Sequence, residues 1–442
     1  MRSPGTRGSC LHRREIRPFP GDAIRFMRAC LRTPARLAVR LLATRWLALG
    51  FTVAVLAGPA GAQSEDPAGE KRWADHGFSP AQREQLREAW RWGIAERYVP
   101  GGAMLVLHRG EVVFREAFGV ADLATRVPFA VDAPCRLASV TKPFTATLFA
   151  LLVEEGRCAW DDPVDRYLPE MAGLRVRGQG PAVRPPTLRE LLSHTAGFPG
   201  NSERRSGAIP VRGDGTLAGA VAEIARAGLV TPPGTAYAYS GFGYMVAGRA
   251  AEVITGREFG ALMAARLLGP IGAGGAVFLP SASAAVKVRL PTMYERTSGA
   301  LVRAGAGAGA GDGEPAGLAF PNPGGGLVAT VDDVGRFLLL HRNRGLAGGG
   351  GRVVTAETLE ALYRPQPATG REGYGLGFNV LRTDGRGVGD RLRHAGASGT
   401  LALIDFKRDL IVVVLTQVPT KQRLPFGRRL DEAIERVFSA GR

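Results

Sequence analysis

Pro134-Cys135-Arg136-Leu137-Ala138-Ser139-Val140-Thr141-Lys142-Pro143-Phe144-Thr145-Ala146 is the stretch from which the rest of the chain can be read. It leads into an apolar run over residues 144–153, which predicts a buried helix. Ser139 and Lys142 are three positions apart. On a helix that spacing sets the hydroxyl and the amine one turn apart on one face. The Ser139 N–H would lie at the positive end of the helix, placed to stabilise an oxyanion. A lysine stripped of water can lose its proton and then activate the hydroxyl. The chain holds five Lys against 52 Arg. Arginine cannot be deprotonated, so it cannot serve as the base. A scarce lysine at this position therefore carries information.

Outward from that helix, the periodicities change character. Residues 80–97 have helical spacing. Residues 103–108 and 111–118 are β-rich runs around Arg109-Gly110, a hairpin signal. The central helix is expected to end near Gly156. From about 157 to 330 the chain reads as helical patches broken by Pro and Gly, with a short helix at 187–193 and an apolar one at 243–254. A helix through 337–341 follows Asp332-Asp333. Strand signals return at 374–381, 401–406 and 410–417, and an amphipathic helix closes the chain at about 425–438. Strands at both ends with helices between them predict an α/β (α+β) fold: one sheet built from both termini and flanked by helices, with an inserted helical domain. The expected division is a sheet domain of 79–156 and 331–442, a mainly helical insertion of 157–330, and a flexible lead-in at 63–78. The Ala-Gly run at 304–313 is low in complexity and is expected to be a mobile loop.

Composition is that of a globular chain, 45% hydrophobic and 22% charged. Net charge is +17, but residues 1–62 hold eleven Arg against Glu15 and Asp22, so +9 of it belongs to the first 62 residues. The remainder is dispersed, without Lys/Arg blocks or interleaved aromatics, which predicts a solvated surface and no nucleic-acid partner. Residues 1–62 have the anatomy of a signal peptide, with a start at Met27 or upstream. Arg28, Arg32, Arg36, Arg40 and Arg45 precede an apolar segment at 46–57, and Ala60-Gly61-Ala62 ends at Gln63. That predicts a periplasmic or secreted protein with no stable membrane span after removal of the leader. Cys135 and Cys158 flank the central helix, whose length of about 25 Å exceeds disulfide reach, so both thiols are expected to be unpaired and buried.

Three further segments offer polar groups. Tyr239, in Ala238-Tyr239-Ser240-Gly241, could shuttle protons if held near a lysine. Arg393-His394-Ala395-Gly396 precedes a strand; His394 would supply a donor, and Gly396 would let a substrate approach the backbone. Ser193 and His194 are adjacent, but neighbouring side chains on a helix diverge, so His194 is expected to be structural. No nucleophile elbow, phosphate loop, metal spacing or dinucleotide loop occurs, so no cofactor and no metal are expected.

Taken in order, S-V-T-K, D-D-P-V-D-R-Y-L-P-E, L-L-S-H-T-A-G, P-G-T-A-Y-A-Y-S-G-F-G-Y, G-G-G-L-V-A-T-V-D-D-V and H-A-G-A-S-G-T resemble the serine β-lactamase and penicillin-binding protein superfamily. The branch is that of class C β-lactamases, D-aminopeptidases, D-Ala-D-Ala carboxypeptidases and related esterases, and the resemblance covers about 75–442. It implies a β-lactamase/transpeptidase-like fold. It makes Ser139 the acylated nucleophile, Lys142 its base or relay and Tyr239 a second acid/base. The amides of Ser139 and Ala397 would form the oxyanion hole. His394-Ala395-Gly396 stands where the family has Lys-Thr-Gly or His-x-Gly. Two positions depart. Gly241 replaces the Asn of Tyr-x-Asn, which usually holds the substrate amide and the lysine, and His394 replaces a permanent cation. The expectation is an exported serine hydrolase of small-molecule esters or amides, β-lactams included. The alternatives are a cell-wall D,D-peptidase or D-aminopeptidase, and a non-catalytic acyl-binding sensor.

Overall fold

Both ends of the chain contribute to one six-stranded sheet, in which every pairing is antiparallel. The computed structural model describes residues 67–201, 214–305 and 319–439. Strands β1 (Gly101–His108) and β2 (Glu111–Gly119) form the predicted hairpin. Strands β3 (Asn379–Thr383), β4 (Gly389–Gly396), β5 (Thr400–Asp405) and β6 (Leu410–Leu415) come from the C-terminal part, and the order is β3-β4-β5-β6-β1-β2. The two halves join where β6 pairs with β1, Ala103 facing Leu415 and His108 facing Leu410. Side chains alternate across both strands. Leu105, Leu107, Ile411 and Val413 enter the larger core, while Met104, Val106, Val412 and Val414 enter a second core on the other face. A sheet buried on both faces reads as continuous apolar runs, which is why residues 410–415 carry no polar member.

Helices close both faces. On one lie α1 (Pro67–Asp75), α2 (Pro80–Ala95) and the C-terminal helix (Leu424–Ser439), with Leu86, Trp90, Phe426 and Leu430 among the buried residues. Ser79 begins α2 through a capping box with Gln82. On the other face, Val331–Arg342 packs on β1, β5 and β6, and Thr330 caps it with Asp333. Next to these lies α3 (Thr141–Glu154), buried on every side from Thr141 to Leu152, as a helix apolar all round must be. The same core continues into the 157–330 segment through Leu191, Val221, Met245 and Leu262.

Three expectations are corrected. Residues 67–78 are not a flexible lead-in: Trp73 and Phe78 are buried, and rings of Phe114 and Phe438 hold them at 5.0–6.2 Å. The strand expected at 374–381 begins only at Asn379. Gly377 has φ +83° and lies so close to α3 that a Cβ would stand 2.7 Å from the Ala146 methyl. Arg393-His394-Ala395-Gly396, expected to precede a strand, is itself the end of one, β4, whose Arg-Leu-Arg-His alternation conceals its half-buried face. Cys135 and Cys158 are buried, and neither forms a disulfide among the described residues. Among the described residues no helix is long and apolar enough to cross a membrane. The leader at 1–62 and most of the Ala-Gly run at 304–313 lie outside the described residues.

Candidate active site

Ser139 sits in a single 3₁₀ turn, Ala138–Val140, that runs directly into α3. Ala138 before it takes φ +46°, a left-handed backbone that costs a residue with a Cβ about 1–2 kcal/mol. Such strain persists only where the surroundings impose it. Here they do: Leu137 N–H donates to the Leu327 carbonyl at 2.9 Å, and the Thr400 hydroxyl donates to the Leu137 carbonyl at 2.8 Å. Lys142 is fully buried, with Nζ 3.0 Å from Ser139 Oγ and donating to the Gly324 carbonyl at 2.7 Å. Nζ also lies over two rings, 5.0 Å from the Tyr239 centroid and 5.3 Å from that of Tyr244.

The end of β4 forms the wall beside the serine. Ser398 donates its hydroxyl to the Arg136 carbonyl at 2.6 Å. Gly396 comes so close to the same segment that a Cβ would stand 2.2 Å from the Leu137 carbonyl and 2.1 Å from Thr400 Oγ1. Ala397, which follows, is buried, and its carbonyl accepts from Thr420 N–H at 3.1 Å. The strand end and the serine turn are thus held together by backbone approach, and Gly396 is the residue that permits it.

Tyr239 belongs to an aromatic cluster. Its ring is 4.2 Å from that of His194, 6.3 Å from His394 and 6.4 Å from Tyr374. Ser193 turns its hydroxyl to Thr195 at 2.8 Å instead of to His194. His394 does not present a donor to a substrate, contrary to expectation. Its Nδ1 meets the Ala395 carbonyl at 3.0 Å, so that nitrogen carries the proton, and Nε2 accepts from the Tyr374 hydroxyl at 3.0 Å. Both nitrogens are engaged. Burial, with Lys142 nearby, pushes its pKa down to about 3. The imidazole is neutral at physiological pH.

Gly241 has no side chain to hold the lysine, and other groups occupy that role. The Gly324 carbonyl binds Lys142, within a turn where the Asn322 side chain accepts from Gly324 N–H at 2.9 Å. The Thr145 hydroxyl fastens the same loop to α3 through the Pro323 carbonyl at 2.6 Å. Gly324, Tyr244 and Tyr374 carry no role that the sequence alone assigns. The Pro-Asn-Pro-Gly-Gly-Gly run at 321–326 was the available signal for the first; the others look like ordinary core or loop residues.

An antiparallel sheet with helices on both faces and a buried Ser-x-x-Lys pair at a helix start define the class: a serine hydrolase built on the β-lactamase fold. The chain belongs to the beta-lactamase family, whose model matches residues 82–435. It is 32% identical over 333 residues to penicillin-binding protein 4 of Amycolatopsis lactamdurans, covering 73% of this chain and 80% of that one. To esterase EstB of Burkholderia gladioli it is 31% identical over 337 residues, covering 69% and 80%. The solved structure of EstCE1, a hydrolase with promiscuous acyltransferase activity, superposes with a TM-score of 0.69 at 23% identity, covering 80% of this chain and all of that one. At that identity the likeness speaks to the fold.

Proposed function

We propose that this protein hydrolyses small-molecule esters through an acyl-enzyme on Ser139, after export from the cytoplasm. The observation that carries the reading is the 3.0 Å approach of the buried Lys142 amine to Ser139 Oγ. In this scheme Ser139 Oγ adds to the ester carbonyl carbon as its proton passes to the Lys142/Tyr239 pair. The amides of Ser139 and Ala397 hold the oxyanion. The intermediate collapses, the C–O bond to the alcohol breaks, and the alcohol leaves with the stored proton. Water deprotonated by the same pair then adds to the acyl carbon, and the acid leaves as Oγ is reprotonated. Two features favour esters over β-lactams. Gly241 offers no carboxamide to a substrate amide, and His394 is neutral with both nitrogens engaged, so it offers no cation to a substrate carboxylate.

A fluorophosphonate probe followed by peptide mass spectrometry tests the nucleophile. One adduct on Ser139, absent in Ser139→Ala, is expected. Labelling at Ser193 or Ser398, or none at all, overturns it, and the last outcome would favour an acyl-binding sensor. Faster turnover of nitrocefin or a D-Ala-D-Ala peptide than of a short-chain nitrophenyl ester would overturn the substrate class. Export rests on the leader at 1–62. N-terminal sequencing of the native protein should begin at Gln63, and a retained leader in the membrane fraction would count against it.

A further inference from the structure

Tyr239 is the one proposed proton-carrying group that does not sit on α3, so its phenol depends on how its own loop is held. That loop is tied, group by group, to residues 194–201. Ala238 N–H donates to the His194 carbonyl at 2.9 Å, and Asn201 N–H donates to the Tyr239 carbonyl at 2.8 Å. Ser240 N–H donates to His194 Nδ1 at 3.1 Å, and Gly241 N–H donates to Asn201 Oδ1 at 3.0 Å. The Ser240 hydroxyl adds a bond to the Pro199 carbonyl at 2.7 Å. Two side chains, His194 and Asn201, therefore hold consecutive amides immediately after Tyr239. Both are buried.

His194 holds this position despite local costs. Its backbone has φ +63°, a left-handed region uncommon for any residue but glycine, although histidine enters it more often than most. Because Nδ1 accepts from Ser240, the neutral ring carries its proton on Nε2, and that nitrogen is buried with no hydrogen-bond partner among the described residues. Its ring packs beside Tyr239 at 4.2 Å and Tyr374 at 4.8 Å, with Tyr244 at 5.3 Å and Tyr237 at 5.9 Å. Burial, with Lys142 and His394 nearby, holds its pKa well below the usual histidine range. A neutral ring adds no charge to Tyr239, and what it contributes is shape and one acceptor.

We infer that His194 and Asn201 are positioning residues that aim the Tyr239 hydroxyl at the Ser139–Lys142 pair, a role that rests on the acid/base reading of Tyr239 above. The Asn201 carboxamide oxygen is taken up by the Gly241 N–H, so it braces the loop from a different segment of the chain. The test uses the full-length enzyme and a short-chain nitrophenyl ester, with kcat and KM measured across pH and a melting curve for each variant. His194→Phe keeps a ring and removes the acceptor. His194→Asn keeps an acceptor and tolerates the left-handed backbone. Asn201→Ala removes the second clamp. Misplacement of a reacting group by about 1 Å costs on the order of 10²-fold, so His194→Phe and Asn201→Ala should each lower kcat by about that factor with KM nearly unchanged. His194→Asn should recover most of the loss, and the limbs of the pH profile should stay where they are in wild type. A folded His194→Phe or Asn201→Ala with wild-type kcat would overturn the inference. So would a His194→Asn as slow as His194→Phe, or a displaced pH limb, which would make His194 a titrating group. Tyr239→Phe separates the two levels. If it is active, the reading of Tyr239 itself fails. If it is inactive while the clamp variants are unaffected, only the positioning role fails.

Discussion

Lys142 Nζ donates to the Gly324 carbonyl, lies 3.0 Å from Ser139 Oγ and is fully buried. Arginine in its place would keep a charge but could not take a proton. Lys142→Arg should therefore lose at least ~10²-fold in kcat, nearly as much as Lys142→Ala, since general acid–base catalysis contributes ~10²–10⁴. An Arg variant with substantial turnover would show that Lys142 supplies charge alone. Gly241 makes the second residue-scale prediction. Leaving a substrate amide without its buried partner costs about 1–3 kcal/mol, or about 5- to 150-fold. Gly241→Asn should raise nitrocefin turnover relative to ester turnover, read as the ratio of kcat/KM values. An unchanged ratio in a variant with an intact melting curve would show that the missing carboxamide does not set the preference. The spacing of Ser139 and Lys142 was legible because three positions along a helix fix their relation whatever lies outside it. His394 was not, because its partner Tyr374 lies 20 positions away and is brought to it by the fold.

At the scale of elements, the site is a junction between the start of α3 and the end of β4. Their separation is set by Gly396, whose absent Cβ leaves room for the Leu137 carbonyl. Gly396→Ala should push the strand end away from the serine turn. Overpacking of this kind costs about 1–3 kcal/mol, so the urea midpoint should fall. The rate of fluorophosphonate labelling at Ser139 should fall with it, since the Ala397 amide moves together with the strand. Unchanged labelling would mean that the strand end takes no part in acylation. Helix α3 was readable because its apolar residues are contiguous. Strand β4 was not. Asp390, Arg391 and Arg393 give it a polar texture, and these residues are accommodated by long-range ion pairs with Asp405, Asp431, Glu435 and Arg382, which local sequence cannot reveal.

Across the molecule, arginine is spent on forked pairs with carboxylates. Arg115–Asp332, Arg189–Asp161 and Arg342–Asp409 each make two hydrogen bonds of 2.6–2.9 Å. Being partly exposed, each contributes little by itself. The buried histidines matter more for pH. His341 and His394 are held down to about 3, and His194 well below its ordinary 6.5, all chiefly by burial. Their folded pKa values lie below the unfolded ones, so their contribution is complete above pH 6.5 and is lost as pH falls toward 3. In that window the unfolded chain binds protons that the folded one refuses, at up to about 1.4 kcal/mol per pH unit for each histidine. The urea midpoint should therefore drop markedly between about pH 7 and about pH 5, before carboxylates titrate. A flat midpoint over that range would show that these rings are protonated in the folded state.

The sequence by itself determined what depends on near neighbours: the Ser139–Lys142 spacing, the apolar helix behind it, the hairpin of β1 and β2, and the apolar β6 whose composition demands burial on both faces. The order of its motifs was enough to place the chain in its family. Tertiary structure alone decided what depends on residues far apart in the chain. It closed the sheet between β1 and β6, gave Lys142 the Gly324 carbonyl as a partner, and occupied both nitrogens of His394. The physical reason is that helix and strand periodicities are local. A buried polar group must instead take whichever partner the folded backbone brings within about 3 Å.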